Sequence, residues 1–314
     1  MSAVTNIRKI RTRGSFEWKN LNSYTPYFFM APFLILLLIF NLYAFARGAW
    51  LGMTDAQSIN EGSWIGFANY QTIFGDRRFW ESVTITLKYT FFALLTQVPA
   101  AFILAYVLNN IASRFRGFFR GIFYIPVLIN TIVTSLVWRK LFDKDLGIIN
   151  WILGLLHLPN NFNWLNESTF CVPLLVIVAF WQWTGYHMVY FLASLQSIDP
   201  TIYEVAKLDG ASPTRTLLQI TLPLMRPAIT FVMVTAAIGC LSVFDYPFML
   251  WPNSAPYGPG QQARALIPYI YDFGWGQQFQ VGMAAAAGWV AFGIIMIVSL
   301  FQLRFFGLEN ADEE

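Results

Sequence analysis

The sequence of 314 residues is short of charge, histidine and cysteine. Asp, Glu, Lys and Arg make up 12% of it and hydrophobic residues 56%, where a soluble globular domain carries about 25% charged residues. A deficit of that size is more than one oversized core explains, so lipid is the expected main solvent. The two cysteines, Cys171 and Cys240, lie in apolar runs without CxxC spacing and read as small buried packing residues. With two histidines, His157 and His187, metal-dependent chemistry has almost nothing to stand on and no metal site is expected. No GxxxxGK[ST] phosphate loop, HExxH or GxSxG occurs, so no catalytic residue is assigned and the chain is not expected to hydrolyse ATP. The net charge of +3 is spread without a basic, aromatic-interleaved patch, which argues against a nucleic-acid partner.

What the sequence has is long apolar runs. Six are long enough for a bilayer, which takes about 20 mainly apolar residues: Tyr27–Ala46, Val83–Leu108, Phe118–Val137, Val172–Leu195, Leu224–Leu250 and Val281–Phe301. The expected fold class is an all-α integral membrane protein of six transmembrane helices. Its organisation is a tail over 1–26, a six-helix domain over 27–305 and a short tail over 306–314. The first run is too long for the core of a cleaved signal peptide. Lys and Arg set the orientation. With the N-terminus inside, Arg8, Lys9, Arg11, Arg13, Lys19, Arg114, Arg116, Arg120, Lys207, Arg215, Arg226 and Arg304 fall inside. Arg47, Arg77, Arg78, Arg139, Lys140, Lys144 and Arg264 fall outside, a moderate bias. An even helix number places the acidic end GLENADEE inside too, so both termini are expected to be cytoplasmic. Lys88, one or two turns into the second span, can snorkel outward.

Three outer segments, Leu51–Ser82, Arg139–Thr169 and Trp251–Gln280, run to about 30 residues each, long enough to carry structure or a task of their own. Trp50, Trp64, Trp80, Trp138, Trp151, Trp164, Trp251 and Trp275 fall in or beside outer segments. Interfacial anchoring accounts for such tryptophans; a docking surface for an external partner is the other reading.

The inner loop at 196–223 is unusually well punctuated: SIDPTIYEVAKLDGASPTRTLLQITLP. Asp199 is placed to N-cap a helix with Pro200 at its first position, and Gly210 sits where a C-cap ends it. Ser212 and Pro213 repeat the start signal, and Leu222–Pro223 is expected to break the second helix. Ile202, Val205 and Ala206 share one helical face, with Tyr203, Glu204 and Lys207 beside or opposite it. An amphipathic connector lying in the interface is one explanation. The small residues Ala206, Gly210 and Ala211 fit close approach by another protein better.

That loop resembles the EAA loop of permease subunits of binding-protein-dependent ABC importers. The order Glu204–x–Ala206, then Gly210, then Ile220–x–Leu222–Pro223 carries the likeness; Val205 stands where the family usually has Ala. WIGFANYQTIF, FRGFFRGIFYIPVLI and FDYPFML are similar to carbohydrate-uptake permeases of the maltose-transporter type. The resemblance implies a type I ABC importer permease fold in a bacterial plasma (inner) membrane. It implies a partnership with a second permease subunit in a heterodimer, two ATP-binding subunits inside and a sugar-binding protein outside. ATP and Mg would then bind the ATPase subunits and no cofactor this chain. Glu204, Val205, Ala206, Lys207, Asp209, Gly210, Ala211, Ile220, Leu222 and Pro223 would form the surface coupled to the ATPase.

Polar groups inside spans tend to face a cavity or each other. In FWQWTGYHMVYF, Gln182, Tyr186 and Tyr190 form one helical stripe, with Trp183 and His187 beside it. Aromatic faces with amide and hydroxyl groups suit a sugar, although the same residues also pack between spans. Further candidates for the path are Gln97, the pair Asn130 and Thr134 at i, i+4, and Asp245 with Tyr246. Asp245 is the one acidic residue inside an expected span; pairing with Lys88 or Arg139 is its structural alternative. The GMAAAAG run from Gly282 reads as a close helix contact. The absence of a buried cation tilts the substrate toward a neutral glycoside. A self-sufficient secondary transporter or channel for a small polar solute is the competing reading, and a membrane-embedded enzyme a weaker third.

Overall fold

A computed structural model describes residues 25–59, 62–251, 256–276 and 279–306. The basic N-terminal tail and GLENADEE therefore lie outside the described residues, which are helical with a single isolated bridge between Thr54 and Trp64. The chain divides into two compact units, one through Trp50 and one from Leu51 onward. The described part of the first is α1 (Thr25–Leu37) and α2 (Tyr43–Leu51) up to its last residue, joined by a π-turn at Leu38–Leu42 in which Tyr43 N–H reaches Leu38 O.

The second unit is a bundle. A short helix, α3 (Ala68–Gly75), leads into α4 (Arg77–Asn110), whose first turn is capped by the Asp76 carboxylate accepting from Arg78 N–H at 2.9 Å. There follow α5 (Ser113–Leu128), α6 (Thr131–Leu141), α7 (Ile148–Leu155) and the central α8 (Cys171–Ser197), which packs along α4 and α5. The loop helices are α9 (Pro200–Leu208), α10 (Pro213–Thr216) and α11 (Leu222–Leu224), and the bundle closes with α12 (Arg226–Leu241), α13 (Asp245–Leu250), α14 (Leu266–Gly274) and α15 (Val281–Phe306).

Among the described residues four unbroken helices are long and apolar enough to cross a membrane, or up to six if each of two bent pairs is one span. Those pairs fall in the third and fifth expected runs. The third run breaks between α5 and α6 with a bend of 94°. Ile129 and Asn130 turn extended, and Asn130 becomes the N-cap of α6 by accepting from Ile132 N–H at 2.9 Å. The fifth run bends by 66° at Met225, where Pro227 two residues on has no N–H to continue the ladder. It breaks again over Ser242–Phe244, so Asp245 opens a new helix rather than sitting mid-span, and Pro247 falls in that helix's first turn. Pro223 does not end its helix as expected. A π-turn at Leu217–Thr221, with Leu222 N–H bonded to Leu217 O, shifts the register and carries the helix past the proline to Leu224.

Three apolar clusters hold the unit together. One joins Leu94, Val98 and Leu108 of α4 to Met188 and Phe191 of α8 and Val232 of α12. A second joins Tyr89, Leu174, Val178, Cys171 and Cys240 to the α13 region, and both cysteines are buried there as free thiols. The third packs Ile73, Phe79 and Tyr269 on Ala286, Ala287 and Ala291 of α15. The GMAAAAG run packs closely against helices through Ala284, Ala286 and Ala287, and against a loop as well: a Cβ at Gly282 would stand 2.2 Å from Thr54 O. The tryptophans divide. Trp64, Trp151 and Trp275 are exposed, whereas Trp251 is buried and donates to Leu165 O at 2.7 Å, and Trp164 donates to Asn150 at 2.8 Å. Large apolar residues remain exposed along the long helices, among them Phe91 and Ile103 on α4 and Ile297 and Phe301 on α15, the surface that hydrocarbon covers.

Polar ties fasten α14 to its surroundings. Tyr269 donates to Asp76 at 3.0 Å and Tyr257 to Asp272 at 2.7 Å. Burial pushes the Asp76 carboxyl up, but hydrogen bonds from Arg78 and Tyr269 outweigh it and hold the group below the usual carboxylate range. Burial raises Asp272.

Candidate functional site

The two breaks, Ile129–Asn130 and Ser242–Phe244, are drawn to the same stretch of α8. Gln182 donates through Nε2 to Ile129 O at 2.8 Å, the carbonyl that the end of α5 leaves free. Its Oε1 accepts from the Tyr246 hydroxyl at 2.8 Å, and that hydroxyl in turn accepts from Trp183 Nε1 at 2.8 Å. Thr131, the first residue of α6, donates its hydroxyl to the Asp245 carboxylate. Two residues beyond this knot the α5 backbone touches α8 directly: a Cβ on Gly185 would lie 1.7 Å from Phe123 O. Broken helices expose backbone groups that need partners, and here the buried Gln182 of α8 supplies one to Ile129 O.

Around this knot lies a cavity of about 340 Å³. Of the residues singled out from the sequence, it brings together Gln97, Trp183, Tyr186, His187, Asp245 and Tyr246. Gln182 stands behind the wall, holding Tyr246. Tyr190 reaches Tyr186 hydroxyl to hydroxyl at 3.2 Å and packs on Phe231, outside the lining. The pair Asn130 and Thr134 does not share a face toward the cavity: Asn130 is exposed as a helix cap and Thr134 is buried with its hydroxyl unpartnered. Asp245 pairs with neither Lys88 nor Arg139 among the described residues; its partner is Thr131.

Sequence reasoning missed Tyr89, Thr131, Thr235, Gly239, Ser242 and Phe244, all of which line the cavity. Tyr89 lies eight residues before Gln97, and Thr235, Gly239 and Ser242 are spaced i, i+4, i+7, so helical periodicity could have found four of them. Thr131 is placed by the α5–α6 break and had no such signal. Two buried polar atoms in the lining lack a partner: Gln97 Nε2 and His187 Nδ1, on side chains 1% and 4% exposed. Unmet hydrogen-bonding capacity beside Trp183 and Tyr186 fits a ligand with hydroxyl groups and an apolar C–H face.

The second candidate site is the loop after α8. Asp199 accepts from Thr201 N–H at 2.9 Å and Pro200 opens α9. At the other end Gly210 takes φ +73°, with its N–H bonded to Lys207 O and Ala211 N–H bonded to Ala206 O at 2.9 Å. These two bonds make a Schellman cap, which wants glycine at that position. Ser212 caps α10 through Arg215 N–H at 3.3 Å. Ile202, Val205 and Ala206 fall on one face of α9 as expected; Ala206 is buried, whereas Val205 is 56% exposed and Ile202 is exposed as well. Tyr203 turns inward toward Thr221, its hydroxyl accepting from Thr221 Oγ1 at 3.4 Å. Thr201, Ile202, Val205, Ala206, Asp209 and Ile220 then line an open groove of about 360 Å³. Glu204, Lys207 and Leu208 stand exposed beside it.

Residues 97–307, which include the loop and every cavity-lining residue but Tyr89, match the family described as binding-protein-dependent transport system inner membrane component. The chain belongs to this family. It is an inner-membrane permease component of a binding-protein-dependent transporter, not an ATPase subunit. It is 33% identical over 296 residues to the arabinooligosaccharides transport system permease protein AraP of Bacillus subtilis (strain 168), covering 92% of each chain. Its fold matches a crystal structure of a bacterial alginate ABC transporter in complex with alginate pentasaccharide-bound periplasmic protein. The TM-score is 0.79 at 25% identity, over 92% of this chain and 96% of that one. A second crystal structure, of a bacterial ABC transporter involved in the import of the acidic polysaccharide alginate, matches with TM-score 0.78 at 25% identity, over 92% and 97%.

Proposed function

We propose that the chain is the six-span permease subunit of an ATP-driven importer that takes a sugar or sugar derivative from an external binding protein into the cytoplasm, with both termini on the cytoplasmic side. The observation that carries the reading is the cavity at the junction of two broken helices, lined by aromatic rings and by buried polar atoms that lack partners. A saccharide fills that description better than an ion, because the lining offers stacking faces and scattered hydrogen-bonding atoms rather than a charge cage. In this reading Gln97, Trp183, Tyr186, His187, Asp245 and Tyr246 touch the passing sugar, and Gln182 holds the wall. A second permease subunit completes the path as a heterodimer.

Glu204, Val205, Ala206, Lys207, Asp209, Gly210, Ala211, Ile220, Leu222 and Pro223 form or support the surface that seats an ATP-binding subunit. The Schellman cap makes α9 and α10 one rigid piece, and the helical run past Pro223 connects it to α12. Closure of ATPase subunits would move that piece as a body, a common way to switch access. ATP and Mg belong to those subunits, and this chain binds no cofactor. Proteoliposome uptake of labelled oligosaccharide tests the reading. The assembled transporter should import with ATP, and the chain alone should not. Gly210→Val, which forces a β-branched residue to positive φ, should abolish uptake. Uptake by the chain alone would establish a self-sufficient transporter instead.

A further inference from the structure

Among its described lining residues the cavity has one acidic group and, apart from the His187 imidazole, no basic one. Asp245 is the single carboxylate among its described lining residues, and neither Lys nor Arg is among them. The other titratable groups facing it are the His187 imidazole, the Cys240 thiol and the phenols of Tyr89, Tyr186 and Tyr246. Asp245 is half-buried and accepts one hydrogen bond from Thr131. A carboxylate has roughly four lone-pair sites, so most of its accepting capacity is left for whatever occupies the cavity.

We infer that Asp245 makes this cavity selective by charge: it accepts uncharged saccharides, whose hydroxyls donate to the carboxylate, and rejects anionic ones such as uronic-acid oligosaccharides. The inference rests on the reading of the cavity as a sugar path. Two carboxylates brought together in a poorly solvated space repel strongly unless a cation stands between them, and here none does. A neutral sugar meets no such penalty, because a pair of its hydroxyls can both donate to Asp245 while Gln97 and His187 bond others. Discrimination therefore comes from a repulsive element as much as an attractive one. The same fold serves an acidic polysaccharide in a structural neighbour, so the fold does not set the sign of the charge; the lining residues do.

The test is made on the full transporter assembly in nanodiscs, with Ser242→Cys introduced in the cavity wall as a reporter and the parent chain as background. A water-soluble thiol reagent labels Cys at this position, and maltotriose or trigalacturonate is added to slow the labelling. Maltotriose should protect at concentrations at least tenfold lower than trigalacturonate. Asp245→Asn keeps an oxygen to accept from Thr131 and should close that gap to within about threefold; Asp245→Glu should preserve it. Equal protection by both probes in the parent background, or an unchanged ratio in Asp245→Asn, overturns the charge selection while leaving the sugar path standing. Protection by neither probe at any concentration overturns both.

Discussion

Replacing Tyr246 with Phe deletes one oxygen and leaves two buried groups without their partner. The phenol donates to Gln182 Oε1 and accepts from Trp183 Nε1, each at 2.8 Å, and Gln182 and Tyr246 are 1% and 3% exposed. A buried group left unsatisfied costs about 1–3 kcal/mol, so the two together set a range of about 2–6 kcal/mol. The cavity of about 340 Å³ next to them has room for water, which needs about 30 Å³ per molecule and can take over part of the bonding. The expected loss is therefore near the low end, about 2 kcal/mol. The assay is a double-mutant cycle with Gln182→Leu, read from unfolding of the purified assembly in detergent. Coupling between the two substitutions should reach about 1–2 kcal/mol, since each removes the same bond. Additivity to within about 0.5 kcal/mol would refute the claim that this knot ties α13 to α8.

Gly185→Ala would put a methyl 1.7 Å from Phe123 O, so α5 must retreat, and a lowered unfolding midpoint worth about 1–3 kcal/mol is expected; an unchanged midpoint would show that α5 and α8 do not touch there. Val205→Asp changes an exposed side chain and should leave stability within about 0.5 kcal/mol while the ATPase subunit no longer co-purifies; retention of that subunit would remove Val205 from the docking surface. Asp76 is held below its ordinary range, so its contribution to stability is present above the unfolded carboxylate value and is lost as pH falls through the folded one. Midpoints measured from pH 7 down to about 3 should therefore fall less steeply for Asp76→Asn than for the parent, and parallel curves would contradict the assignment.

Much of this was legible from spacing and capping. Asp199–Pro200, Gly210 and Ser212–Pro213 mark the limits of α9 and α10 by local chemistry alone, and the structure uses each of them as a cap. Apolar length located the helices, but hydropathy has no term for a bend, so the breaks at Ile129–Asn130 and Ser242–Phe244 were hidden inside apolar runs. Asn130 before Thr131 and Pro247 after Asp245 were the available signals. Pro223 misled in the opposite direction because a π-turn, which depends on the whole register, absorbed it. The shared face of Ile202, Val205 and Ala206 on α9 followed from spacing, whereas the inward turn of Tyr203 toward Thr221 depends on a partner 18 residues away and did not. In the cavity, Gln97, Trp183, Tyr186 and His187 followed from polarity within a span, whereas Thr131 could be placed only once two distant breaks were known to meet.

The central claim is that the sugar passes through the cavity between Gln97, Trp183 and Asp245. Uptake by the assembled transporter carrying Ser242→Cys, before and after modification with a bulky water-soluble thiol reagent, tests it most directly. The account predicts normal ATP-driven uptake before modification and near-complete loss after it when both are measured in a Cys240→Ala background, because Cys240 faces the same cavity whereas Cys171 is buried outside it. Full modification with uptake intact would contradict it.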